Sequence, residues 1–126
     1  MPKEKIKILL VEDDTFLLGM YATKFELDGF KVMTAGDGEK AVRAALKELP
    51  DVILLDIILP KLNGFEVLKQ LKQEPTTAKI PIILLTNLSQ KDEIEQGLKI
   101  GAVDYLIKAH FMPSEVVEKI KKVLRK

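Results

Sequence analysis

The stretch DVILLDIILPKLNG, residues 51–64, decides the fold class that this sequence predicts. Its apolar run at residues 52–55 favours a strand that is covered on both faces, as in a parallel sheet. Asp56 follows that run directly, and a loop with Pro60 and Gly64 then leads into a helical pattern. Reactive groups in open parallel sheets lie just beyond the carboxyl ends of the strands, so Asp56 is a candidate reactive carboxylate.

The alternation of a strand and a helix occurs five times along the chain. Apolar segments typical of strands are residues 6–11, 31–35, 52–55, 82–85 and 103–107. A helical pattern follows each, starting at Thr15, Glu39, Phe65, the candidate N-cap Ser89 and a first turn that contains Pro113. This alternation predicts an α/β fold with helices on both faces of a parallel sheet. The sequence contains no linker or low-complexity tract, and we expect a single domain over residues 1–126 with no second, output domain.

The second and fourth helices carry two further expectations. The second is predicted over residues 39–49, where Pro50 stops it. Gly97 lies inside the fourth helix, where glycine costs about 1 kcal/mol relative to alanine. We therefore expect the fourth helix to be the loosest.

Composition excludes several classes of function. The net charge of the 126 residues is +1, so no global field attracts nucleic acid or an anionic membrane. The absence of cysteine excludes disulfides, thiol catalysis and cysteine-based metal sites. The first residues, MPKEKIK, lack an apolar signal core, and no apolar run approaches the roughly 18 residues of a membrane span. We expect a soluble, cytoplasmic protein.

Polar side chains follow four of the five predicted strands. Glu12 and Asp13 follow the first, Asp56 the third, Thr86 the fourth and Lys108 the fifth. If the first strand lies beside the third, three carboxylates converge, which is costly unless a cation offsets them. Mg²⁺ prefers such oxygen ligands. With a hydroxyl and a lysine opposite, this is the equipment for phosphoryl transfer to a carboxylate nucleophile.

Four motifs, ILLVEDD, LLDIILPKLNG, PIILLTN and GAVDYLIK, occur in order with each at a strand end. Together they resemble the receiver domain of response regulators in two-component signalling, over essentially the whole chain. The resemblance implies a doubly wound (βα)₅ flavodoxin-like sandwich with strand order 2-1-3-4-5.

The resemblance also assigns roles to individual residues. It implies that Asp56 is the phosphoacceptor, and that Mg²⁺ is held directly by Asp13, Asp56 and the backbone carbonyl of Ile58, and by Glu12 mainly through water. Thr86 and Lys108 would contact the phosphoryl group. Tyr105 matches an aromatic switch position that turns inward as Thr86 moves. Asp14 is left out of the site, because it is better explained as a helix cap.

The resemblance also implies a phosphoryl donor and a downstream protein partner. A histidine kinase, a phosphotransfer protein or a small acyl phosphate would be the donor, and the chain would not be an enzyme beyond its own phosphorylation and dephosphorylation. A downstream target would bind the face of the fourth helix, fifth strand and fifth helix, with Ile94, Leu98, Lys99 and Asp104 as its candidate residues. The sequence leaves open whether activation involves a homodimer, and whether the chain stands alone, relays phosphoryl groups or comes from a longer protein.

Three departures from the family pattern bear on rate. Ala109 follows Lys108 where the family usually has proline, and a cis peptide without proline costs about 2.5–4 kcal/mol. Asn87 stands where a small residue is usual. Ile58 and Leu88 are both apolar at the two positions that flank the phosphoryl group, so we expect a poorly oriented attacking water and slow self-dephosphorylation.

Other functional classes fit less well. A flavin-binding module of the same architecture needs a hydroxyl- and glycine-rich phosphate loop after the first strand, where this chain has three acids. A haloacid-dehalogenase-type phosphatase would need aspartate where Glu12 stands. The main alternative is a receiver-like scaffold that binds partners without phosphorylation, and Ala109 and Asn87 are its only support.

Overall fold

The computed structural model describes residues 5–86, 91–107 and 112–124. The strands are β1 Lys7–Val11, β2 Lys31–Ala35, β3 Val52–Asp56, β4 Ile82–Thr86 and β5 Asp104–Ile107. The helices are α1 Thr15–Leu27, α2 Gly38–Glu48, α3 Gly64–Gln73, α4 Lys91–Ile100 and α5 Pro113–Leu124. This order confirms the predicted strand–helix alternation.

The five strands form one parallel sheet in the order β2-β1-β3-β4-β5. β1 lies between β2 and β3, and Val11 of β1 pairs in register with Leu55 of β3. The carboxyl ends of β1 and β3 are therefore adjacent, which places the residues that follow them at one edge of the sheet. Both the α/β class and the strand order agree with the prediction.

Helices cover the two faces of the sheet and bury two apolar clusters. α1 and α5 pack on one face, where Tyr21 and Phe25 of α1 meet Val116, Val117 and Ile120 of α5. α2 and α3 pack on the other face through Ala41, Ala45, Val67, Leu68 and Leu71. The apolar residues of β1, β3 and β4 are all fully buried or nearly so, as expected of central strands covered on both faces.

Side-chain caps fix where three of the helices begin. Asp14 caps α1, its Oδ1 accepting hydrogen bonds from the backbone N–H groups of Phe16 and Leu17 at 2.9 and 3.1 Å. Asp37 caps α2 by accepting from the N–H of Lys40 at 2.8 Å. Asn63 and Glu66 form a capping box at α3. Asp14 was left out of the predicted acidic site because it was expected to cap a helix, and the structure shows this cap.

The predicted bounds of the second helix, residues 39–49, are wrong by one residue at each end. α2 begins at Gly38 and ends at Glu48, and Leu49 lies beyond it with a left-handed backbone at φ 48°. The candidate cap Ser89 lies outside the described residues. Val103 precedes β5, although its N–H still donates to the carbonyl of Ile82 at 2.9 Å.

Gly97 of α4 is buried against the sheet. A Cβ at this position would meet Cδ1 of Leu84 in β4 and would lie 3.5 Å from Cε1 of Phe65 in α3. The glycine therefore allows α4 to approach the sheet closely, a packing reason that the helix propensity of glycine does not contain. The expected looseness of α4 stays a prediction.

Candidate functional site

Three carboxylates meet at the carboxyl edge of the sheet. Glu12 and Asp13 follow β1, and Asp56 is the last residue of the neighbouring strand β3. One carboxylate oxygen from each lies within 4.8 Å of the others. Glu12 and Asp56 are buried, whereas Asp13 is exposed at the mouth of the cluster. The convergence expected from the strand order is present in the structure.

The chemistry of this donor set suits a hard divalent cation. Negatively charged carboxylates this close repel one another, and burial strengthens the repulsion because it weakens screening by solvent. A cation with oxygen ligands offsets that repulsion, and the open side at Asp13 leaves room for water ligands, as Mg²⁺ requires. The residues therefore fit a metal centre with two buried carboxylates and one exposed carboxylate.

The local backbone holds the carboxylate of Asp56 in place. Its Oδ1 accepts a hydrogen bond from the backbone N–H of Ile58 at 3.1 Å, a short Asx turn that starts the loop after β3. Gly64, the first residue of α3, closes this loop by donating its N–H to the carbonyl of Ile57 at 2.7 Å. The side chain of Ile58 is 62% exposed and lies beside Asp56 in the chain. An exposed apolar side chain therefore borders the candidate acceptor.

We call residues 57–63, between Asp56 and α3, the acceptor loop. Within it, Lys61 has a left-handed backbone at φ 71°, a conformation that is unfavourable for a residue with a Cβ. Neighbouring contacts must hold such a residue in place. The acceptor loop is thus a defined turn, and its shape is set by hydrogen bonds at both of its ends.

Thr86 and Tyr105 lie on strands progressively farther from the acids. Leu85 of β4 pairs in register with Asp56, so Thr86 lies one residue beyond that pair, and it is buried. Tyr105 of β5 pairs in register with Leu84, which places it on the same sheet face as Thr86. The Tyr105 side chain is 37% exposed. The structure thus places Thr86 beside the acidic edge and Tyr105 at the surface.

Several residues that the sequence singled out lie outside the described residues. They are Asn87, Leu88, Lys108 and Ala109. The contact of Lys108 with a phosphoryl group, the effect of Leu88 on self-dephosphorylation and the departures at Asn87 and Ala109 therefore stay predictions.

The predicted partner face needs one correction. Ile94 was expected at this surface, but it is buried, because it lies on the side of α4 that faces the protein interior. Leu98 is exposed on the same helix. Asp104 forms a salt bridge with Lys119 of α5 at 3.0 Å. Of the four residues, Ile94 is therefore unavailable to a partner in this conformation.

Sequence reasoning missed the role of Gly38. Its N–H donates to the carbonyl of Pro60 in the acceptor loop at 3.1 Å. The signal was present in the sequence as a glycine at the start of a helix, a position that rarely needs glycine unless another backbone approaches closely. The partner of that approach could be found only from the tertiary structure.

Residues 8–121 match the family described as the response regulator receiver domain. The chain belongs to the response regulator receiver domain family. The match covers all five strand–helix repeats except the first residue of β1 and the last residues of α5. The family assignment that the four motifs suggested is confirmed.

Individual relatives agree with this assignment of the receiver domain. The chain is 42% identical to the alkaline phosphatase synthesis transcriptional regulatory protein PhoP of Bacillus subtilis over 120 residues. These residues make up 95% of this chain and 49% of PhoP. The chain thus spans about half the length of the curated relatives it matches. The structure of the chemotaxis response regulator CheY4 of Vibrio cholerae superposes with a TM-score of 0.89 at 30% identity, covering 95% of this chain and 99% of CheY4.

A second similar structure contains BeF₃ and Mg²⁺. It is the CheX–CheY–BeF₃–Mg²⁺ complex from Borrelia burgdorferi, with a TM-score of 0.89 and 25% identity, covering 98% of this chain and 92% of that chain.

Among the described residues of the present chain, no helix is long and apolar enough to cross a membrane.

Proposed function

We propose that the chain is a phosphorylation-activated signalling switch whose phosphoacceptor is Asp56 and whose metal ion is Mg²⁺. The observation that carries the proposal is the clustering of three carboxylates, Glu12, Asp13 and Asp56, at the carboxyl edge of a receiver-type sheet. A lone aspartate at a strand end would be an ordinary loop residue. Two more acids directly after the neighbouring strand allow the three carboxylates to bind a metal ion together.

Glu12, Asp13 and Asp56 would hold the Mg²⁺ together with the backbone carbonyl of Ile58. The metal that accompanies BeF₃ in the Borrelia CheY complex supports the choice of Mg²⁺. When bound, Mg²⁺ neutralises charge on the transferring phosphoryl oxygens. Glu12 contributes a carboxylate from within the protein, because it is almost completely buried. Asp13 contributes one from the exposed side, where water ligands have access.

The proposed reaction forms a bond between a carboxylate oxygen of Asp56 and the phosphorus of the donor. The bond from phosphorus to the donor breaks at the same time, and its electron pair leaves with the imidazole nitrogen of a phosphohistidine or the carboxylate of an acyl phosphate. The product is an aspartyl phosphate on Asp56. The hydrogen bond from Ile58 N–H to Oδ1 orients the nucleophile, and orientation is the main contribution that a protein makes to such a transfer.

The output of the switch would be a change in the surface formed by α4, β5 and α5. An aspartyl phosphate adds negative charge and acceptor oxygens, which would draw in the hydroxyl of Thr86 and the ammonium group of Lys108. Tyr105, now at the surface on the same sheet face as Thr86, would turn inward as Thr86 moves. A partner protein, or a second copy of the chain, would recognise the altered surface.

The test is the intact mass of the protein after incubation with acetyl phosphate and Mg²⁺. We expect a gain of one phosphoryl group in the natural chain, and none in Asp56→Asn or in the presence of a chelator. Asp51→Asn is the matched control, because Asp51 precedes the same strand but lies at its opposite end, where it accepts from the N–H of Lys7 at 2.8 Å. That variant should gain the phosphoryl group normally.

The same measurement bears on the alternative function. If the natural chain gains no phosphoryl group and calorimetry detects no Mg²⁺ binding, the proposal is wrong and a phosphorylation-independent binding scaffold becomes the better interpretation. If Asp56→Asn still becomes phosphorylated, the acceptor has been assigned to the wrong residue.

A further inference from the structure

We propose that Gly38 is a positioning residue for the metal site, although it belongs to a different strand–helix unit from Asp56. This inference rests on the proposed function, because it concerns how the same Mg²⁺ site is shaped. Gly38 is the buried first residue of α2, and its N–H donates to the carbonyl of Pro60 in the acceptor loop at 3.1 Å. β1 separates β2, which leads into Gly38, from β3, which carries Asp56.

The contact between Gly38 and the acceptor loop leaves no room for a side chain. A Cβ at residue 38 would collide with the carbonyl oxygen of Leu62, and would lie 2.5 Å from its Cβ and 2.7 Å from its carbonyl carbon. Two of these three atoms are backbone atoms, which cannot rotate away as a flexible side chain could. Any other residue at this position must therefore displace the acceptor loop or the start of α2.

The acceptor loop packs against the apolar cluster under α2 and α3 through Leu59 and Leu62. Its ends are held by the Gly64 N–H on Ile57 and by the capping box of Asn63 and Glu66. Between them, the Gly38 hydrogen bond holds Pro60. Ile58, whose carbonyl is the proposed fourth protein ligand, lies two residues before Pro60. Moving Pro60 and Leu62 therefore moves the segment that presents this carbonyl, while Glu12 and Asp13 stay attached to β1.

The consequence is specific to metal affinity. Changes to outer contacts that orient metal ligands typically weaken affinity by about 10- to 100-fold. We expect Gly38→Ala to weaken Mg²⁺ binding by an amount in this range. A purely structural role of Gly38 would instead lower the thermal midpoint and leave the dissociation constant of Mg²⁺ in the folded protein unchanged.

The experiment measures Mg²⁺ binding by titration calorimetry in the natural chain and three variants. Calorimetry suits this chain, since it contains no tryptophan for a fluorescence readout. Gly36→Ala is the matched control in the same turn, because a Cβ there would meet nothing within 4 Å and the backbone is not left-handed. Thr77→Ala controls for general destabilisation: Thr77 is buried between α3 and β4 and its hydroxyl donates to the carbonyl of Leu71, away from the acids. Only Gly38→Ala should weaken Mg²⁺ binding.

A second measurement needs no variant, which matters if Gly38→Ala does not fold. Mg²⁺ should slow hydrogen exchange of the Gly38 N–H, because that group is bonded to the loop the metal would order. The N–H of Ala41 is the internal reference, since it lies in the same helical turn but donates to Asp37 at 3.0 Å and not to the loop. Equal Mg²⁺ effects on both groups would overturn the inference.

The outcomes separate this inference from the proposed function. If the natural chain binds Mg²⁺ and becomes phosphorylated, but Gly38→Ala binds as tightly as Gly36→Ala, only the positioning role is wrong. If the natural chain does not bind Mg²⁺, both are wrong. Selective weakening in Gly38→Ala, with Thr77→Ala unaffected, supports the inference.

Discussion

The carbonyl oxygen of Asp56 occupies the space that a Cβ at Gly64 would need. That Cβ would also lie only 2.6 Å from the Cα of Ile57. The start of α3 is thus packed directly against the backbone that bears the candidate phosphoacceptor. Gly64 serves this close approach and the 2.7 Å hydrogen bond to Ile57 together.

Gly64→Ala should therefore destabilise the protein and impair the site. Forcing a methyl group into a closely packed region typically costs about 1–3 kcal/mol, and here the atoms that must yield are backbone atoms next to Asp56. We expect a lower free energy of unfolding in urea and slower phosphorylation by acetyl phosphate. Gly19→Ala is the control, because its Cβ would meet nothing within 4 Å in α1 and alanine should stabilise the helix by up to about 1 kcal/mol. Equal stability of the two variants would contradict the packing argument.

Asp13→Asn should change stability and metal binding in opposite directions. Without Mg²⁺, removing one of three clustered negative charges relieves repulsion and should raise the free energy of unfolding. With Mg²⁺, loss of a direct ligand should weaken affinity by at least the roughly 10- to 100-fold that outer contacts are worth. Thermal unfolding in chelator and in Mg²⁺ measures both effects.

Asp14→Asn is the matched control for charge. It removes the same charge one residue later, and asparagine caps helices about as well as aspartate. Asp14 caps α1 and does not belong to the acidic cluster, so Mg²⁺ affinity should change little. Comparable losses in the two variants would mean that the metal responds to general charge instead of a ligand at Asp13.

Ile58→Asn should shorten the lifetime of the aspartyl phosphate. The exposed apolar side chain of Ile58 borders Asp56 and offers no hydrogen bond to an attacking water. An amide that makes one hydrogen bond worth about 1 kcal/mol to that water would speed hydrolysis roughly fivefold. Decay of the phosphorylated mass after removal of the donor gives the rate. Leu27→Asn makes the same kind of exchange at an exposed position at the end of α1, and its decay rate should match that of the natural chain.

Most of the sheet and the acidic edge could be predicted from the sequence, because both depend on local patterns. Unbroken apolar runs such as that of β3 occur in strands buried on both faces, and acids directly after two such runs must meet if the strands are neighbours. The register of Val11 with Leu55 is the tertiary fact that brings Glu12 to Asp56. It could be expected from the family's strand order, but not from either segment alone.

The features that sequence reasoning could not supply all depend on contacts between distant segments. The neighbours that explain Gly38 and Gly97, which are the loop at Leu62 and the side chain of Leu84, come from other segments of the chain and could be found only in the tertiary structure. α1 is apolar on most of its surface, so its pattern could not show that Phe16 and Met20 are exposed while other apolar residues are buried. Burial of an individual side chain is decided by the neighbouring element as well as by helical spacing.

Leu49→Gly should stabilise the protein, although it removes a leucine side chain. Leu49 follows α2 in the left-handed conformation, where a residue with a Cβ is disfavoured by about 1–2 kcal/mol relative to glycine. Its side chain is 46% exposed, so only part of its burial is lost, and we expect a net gain of about 1 kcal/mol. Leu46→Gly is the control inside the same helix: it is similarly exposed but has ordinary helical geometry, and it should lose about 1 kcal/mol. Urea unfolding of both variants measures the two changes, and a loss of stability in Leu49→Gly would show that the packing of this leucine outweighs its backbone strain.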